Sequence, residues 1–92
     1  MIRSSQELYE KINNIRDLLK KNGGELYAEK LYDAMYISTV VTEIFFTLQF
    51  ELEQIRETDY FKDKMIGPLV QECLDAVNGA LTAAGGWSKR RS

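Results

Sequence analysis

Apolar positions recur along most of this chain at steps of three and four, the spacing of one face of a helix. Leu8, Ile12, Ile15 and Leu19 make the first stripe, and Leu18 widens it. Ser4 and Glu7 precede it with capping-box spacing, in which the hydroxyl accepts from the backbone three residues on and the carboxylate reaches back. Lys20 and Lys21 suit the negative end of the helix dipole, and Asn22-Gly23-Gly24 supplies the left-handed residue that ends a helix. These signals predict a first helix over residues 4–22 that folds straight back on the next.

The second stripe is longer. Tyr27, Leu31, Ala34, Ser38, Val41, Phe45, Leu48, Leu52 and Ile55 alternate steps of four and three, with neither glycine nor proline between Glu25 and Glu57. One helix over residues 25–57 follows, about 50 Å long at 1.5 Å per residue. Thr58 and Asp59 are good N-caps, so a break and a short turn are expected there. Proline fits the first turn of a helix, which places the third helix at 68–84, with Val70, Leu74, Val77, Leu81 and Ala84 as its stripe. Gly79 in its middle suggests a close passage of another backbone, and Gly85-Gly86 a stop. Residues 87–92 have no periodicity and read as a flexible basic tail on a single domain covering residues 1–86.

The helix lengths then bear on assembly. Two helices of about 18 residues cannot wrap a 33-residue helix whose middle is apolar on nearly every side. The expected architecture is all-α: three antiparallel helices with a long central one, completed as a dimeric helical bundle by a second copy. Tyr36, Ile37, Val40, Glu43, Ile44, Phe46 and Phe50 are the candidate interface.

Composition narrows the chemistry. The chain has 92 residues, a net charge of −2, no histidine and one cysteine. That removes a histidine base, a Cys/His zinc site, an intrachain disulfide and the usual nucleophile pairs. The apolar h-region of a signal peptide does not occur near Met1, and the one weakly charged stretch, residues 34–50, carries Glu43, Ser38, Thr39, Thr42, Thr47 and Gln49, so a cytoplasmic protein with no membrane span is expected. Lys89, Arg90 and Arg91 beside Trp87 are too few for a nucleic-acid surface on a body whose net charge without them is about −5.

Four features could carry more. Glu43 stands alone among uncharged neighbours; buried it would need a partner, solvated it would not. Cys73 lies beside the apolar stripe with no cationic sequence neighbour, which reads as a small buried thiol rather than a nucleophile. The five tyrosines suit the edge of a core, with Tyr36 equally suited to an interface. Glu72 and Asp75 put two carboxylates one turn apart. That pair resembles, over four residues, the Glu-x-x-Asp pattern of all-helical nucleotide pyrophosphohydrolases, which implies magnesium held between helices of a dimeric bundle. The Glu-Glu-x-x-Glu run that the family carries on its preceding helix is not reproduced by Glu43, Glu51 and Glu53. The reading that follows is a non-enzymatic, cofactor-free protein that binds another protein and acts as a homodimer. The alternative is a magnesium-dependent hydrolase of that kind, using Glu72 and Asp75 as metal ligands.

Overall fold

Ser4 starts the first helix: in this computed structural model its Oγ accepts from the Glu7 amide at 3.2 Å, and α1 runs Ser5–Lys21. The structure describes residues 2 and 4–91, with side chains as far as residue 82. The Gly23 amide donates to the Lys20 carbonyl and the Gly24 amide to that of Leu19, with Gly23 at φ +83°. This paired closure uses carbonyls that the end of a helix otherwise leaves open.

The single long helix expected over residues 25–57 is two helices, α2 at Glu25–Met35 and α3 at Val41–Arg56, separated by Tyr36–Val40. Two causes combine. Ile37, Thr39, Val40, Val41 and Thr42 are all β-branched, which lowers helix propensity by some tenths of a kcal/mol each, and the Ser38 hydroxyl takes the Val40 amide at 2.9 Å, a local alternative to a helical bond. Bending also lets the two halves of the seam face each other within one chain. Ala28, Leu31, Ala34 and Met35 of α2 are buried with Phe45, Leu48, Leu52 and Ile55 of α3 in one core.

After α3 comes the short turn expected near Thr58, a 3-10 turn at Asp59–Lys62. Helix α4 spans Ile66–Arg91 and so begins two residues before Pro68, where the third helix was expected to start. Asp63 decides the earlier start: its carboxylate accepts from the Met65 amide at 2.7 Å and the Ile66 amide at 3.0 Å. Pro68 then lies within the first turn, where its missing N–H leaves no helical bond unmade. Those two bonds hold the Asp63 carboxyl below its usual range. Their contribution to stability is therefore present above the ordinary aspartate pKa and is lost as pH falls through the lowered value. Helix α4 also runs on through Gly85-Gly86, where a stop was expected; the side chains of the basic tail over 87–92 lie outside the described residues.

Each α-helix packs on the next, and α4 returns onto α1, so four helices surround one core. Contacts at the ends show how neighbours run. The Tyr27 ring at the start of α2 meets Tyr60, beyond the end of α3, edge-on at 5.8 Å, so α2 and α3 are antiparallel. Arg16 Nε donates to the Ala28 carbonyl at 3.0 Å, tying α1 to α2, and Gln49 Nε2 donates to Asn78 Oδ1 at 2.6 Å, tying α3 to α4. The core is apolar throughout, with no buried polar or charged residue among those described.

Gly79 has no backbone neighbour of the kind its position suggested: a Cβ built there meets nothing within 4 Å. Gly79→Ala is therefore expected to raise stability by about 1 kcal/mol, by removing the conformational freedom that glycine loses in a helix. A denaturant midpoint at or below the wild-type value would contradict this.

Candidate functional surface

The break between α2 and α3 presents side chains that a solvated loop does not ordinarily carry. Tyr36 is 67% exposed, Ile37 60%, Val40 49% and Val41 54%; on the outer face of α3, Phe46 is 57% exposed and Phe50 58%. Phe46 and Phe50 are one turn apart, and Glu43 stands beside them on the same exposed face. Of the expected interface residues Ile44 alone is elsewhere: it lies on the inner face of α3 and belongs to the core. Glu43 is solvated, so its charge needs no buried partner, and its backbone carbonyl accepts from the Thr47 hydroxyl at 2.9 Å.

An aromatic strip leads from α1 to the break. The Arg16 guanidinium lies 4.7 Å above the Tyr32 ring, and Tyr32 packs on Tyr36 with centroids 4.9 Å apart. Burial pushes the Tyr9 hydroxyl above its usual pKa, and proximity to Tyr36 adds to the shift. Tyr32 and Val41 belong to this surface although their spacing did not single them out. By spacing Tyr32 is a core-edge position and Val41 a seam position; the bend leaves Val41 in the first turn of α3, about half exposed.

The carboxylates are dispersed. Glu72 is paired with Lys11 of α1 at 3.4 Å, and Asp75 accepts from Gln71 Nε2 at 2.9 Å. Among the described residues no three His, Cys, Asp or Glu side chains gather as a metal-holding group. Magnesium prefers several oxygen ligands converging on one point, so the donor set around Glu72 and Asp75 does not fit the ion that the pyrophosphohydrolase pattern implies. A cleft of about 490 Å³ lies between the start of α1, Phe45 and the middle of α4, floored by Leu8, Ala76 and Gly79. Its polar groups are Ser4, Ser5 and Asp75, which include no base poised on a nucleophile.

Cys73 is a buried core thiol, as its place beside the stripe suggested, and burial, with the nearby Glu72 charge, pushes its pKa up to about 12. The thiolate is the reactive form, so the native protein at pH 8 is expected to leave a chromogenic disulfide reagent unreacted over minutes, and to react fully once unfolded. Rapid native labelling would mean that Cys73 is accessible.

Compared with protein-family models, curated proteins and solved structures, the chain finds no match. No helix among the described residues is long and apolar enough to cross a membrane.

Proposed function

We propose that this chain is a cytoplasmic, non-enzymatic protein-binding protein that acts as a homodimer, with a second copy covering the break between α2 and α3. The observation that supports this is the concentration of exposed apolar side chains, Tyr36, Ile37, Val40 and Val41, in one short segment, continued along α3 by Phe46 and Phe50. Scattered surface apolar residues need no explanation, whereas a contiguous set marks an interaction surface. A second copy fits because a two-fold contact places like on like, and the break is nearly uncharged: no acid or base occurs between Asp33 and Glu43 to repel its symmetry mate. Glu43 and Glu53 on α3, with Glu57 at its C-cap, give the Phe46–Phe50 stripe a negative border. A further protein partner on that stripe would carry apolar anchors within a basic rim.

Sedimentation equilibrium of the full chain at low micromolar concentration tests the reading. A dimer is expected, and a monomer at every concentration up to the millimolar range overturns it.

A further inference from the structure

Chain reversals are ordinarily built from Gly, Pro, Asn, Asp or Ser, whose backbone preferences favour turning. Tyr36–Val40 contains one of these, Ser38, and is otherwise Tyr, Ile, Thr and Val. No non-glycine residue has a positive φ among those described, so no left-handed residue fixes this bend. The three-four spacing also passes through it, with the polar Ser38 at the one position inside the break: Leu31, Ala34, Ser38, Val41, Phe45 and Leu48. In the bent chain that spacing serves no purpose at the bend itself, since Val41 is exposed and Ser38 only partly covered. A seam kept in phase where it buries little is what a helix continuous in a second state requires.

At this point the chain passes from one helical hairpin to another. On one side stands the α1–α2 hairpin, closed by Gly23-Gly24 and the Arg16–Ala28 hydrogen bond. On the other stands the α3–α4 hairpin, tied by Gln49 and Asn78. The two hairpins meet through the Lys11–Glu72 ion pair, the Tyr27–Tyr60 ring contact and the shared apolar core.

We propose that two copies associate by exchanging these hairpins: the break straightens, α2 and α3 join as one helix over residues 25–56, and the α1–α2 hairpin of each copy packs on the α3–α4 hairpin of the other. This rests on the homodimer reading above and specifies how the second copy is engaged. Every contact between hairpins is retained but made between copies, so the exchange sacrifices none of the core. What changes is confined to the hinge. Residues 37–40 recover helical hydrogen bonds, and the hinge side chains of both copies, Tyr36, Ile37, Val40 and Val41, come together near the two-fold axis. The opposing term is the poor helix propensity of the same β-branched run, together with the loss of the Ser38–Val40 hydrogen bond. Bent and straight forms are thereby brought close in free energy, and chain concentration decides between them.

The native Lys11–Glu72 pair provides the test, because a carbodiimide joins a contacting ammonium and carboxylate as an amide with loss of water. Equal amounts of ¹⁴N- and ¹⁵N-labelled full-length chain are unfolded together, refolded at high concentration, and the dimer fraction is coupled, digested and weighed. Exchange predicts that about half of the Lys11–Glu72 linked peptides carry one light and one heavy member, as random pairing of two copies requires. Like-isotope links alone in a genuine dimer overturn the exchange and leave the homodimer standing; absence of any dimer removes both.

Two hinge variants give an independent reading. Thr39→Pro forbids a continuous helix and is expected to abolish the dimer while leaving the monomer's helical circular dichroism intact. Ser38→Ala removes the hydroxyl that favours the bend and is expected to tighten dimerisation roughly tenfold or more, since each copy loses one local hydrogen bond. A Thr39→Pro dimer as tight as wild type would overturn the proposal.

Discussion

If the chain is the homodimer proposed above, Ile37→Glu is expected to turn it into a monomer at low micromolar concentration without loss of helix. Ile37 is 60% exposed and lies in the break rather than in the core, so the isolated fold loses little when it is replaced. In the proposed dimer the same position is covered. A carboxylate placed there must shed water against apolar neighbours with no cation to receive it, at about 2 kcal/mol. Two-fold symmetry applies that penalty twice, and about 4 kcal/mol corresponds to a dissociation constant roughly a thousandfold weaker. Ile37→Ala serves as the comparison, because it removes apolar area without adding charge and should weaken association far less. Sedimentation equilibrium of wild type and both variants, beside their circular dichroism, gives the result. A dimer that survives Ile37→Glu at unchanged affinity would mean that the break is not at the interface.

Gly67→Ala is expected to destabilise the fold by about 2–3 kcal/mol, the upper part of the range of about 1–3 kcal/mol found when a close-packed site is overfilled. Gly67 is buried in the first turn of α4, and a Cβ built on it falls well inside contact distance of the Phe61 carbonyl oxygen. That oxygen belongs to backbone of the 3-10 turn and cannot rotate away as a flexible side chain would. Either the turn must lift or α4 must slide, and sliding would disturb Ile66 and Val70, both fully buried. Urea denaturation should show a lowered midpoint with an unchanged slope. Stability equal to wild type would show that the turn does not press on α4. The contrast with Gly79→Ala is the point of the pair: both glycines lie in the same helix, and the space around each decides the sign.

How much of this could be read from the chain differs from feature to feature. Ser4 with Glu7, Asn22-Gly23-Gly24 and Thr58-Asp59 each act within a few residues, and each marks the boundary that the structure has. Asp63 is as local a signal as Ser4, an acceptor two and three residues ahead of the amides it receives, but it stands beside the stronger punctuation of Gly67-Pro68. The seam from Tyr27 to Ile55 was correctly apolar and incorrectly straight. Its periodicity records which side chains are to be buried and is silent on what buries them. The surface around Tyr36, Ile37, Val40, Phe46 and Phe50 was legible as apolar excess, yet Ile44 could not be separated from it until the inner face of α3 was known.

The sequence by itself determined that this protein is helical, where α1 begins and ends, which positions along each helix are apolar and that Cys73 sits among them, because capping and spacing are set by neighbours in the chain. The tertiary structure decided that the long seam folds back on itself at Tyr36–Val40, that α4 takes its start from Asp63, and that Glu72 serves an ion pair with Lys11. Those outcomes are competitions between marginal local preferences and contacts made far apart in sequence. A β-branched run that is nearly as costly in a helix as in a bend is settled by whichever arrangement covers more of the apolar surface on either side of it.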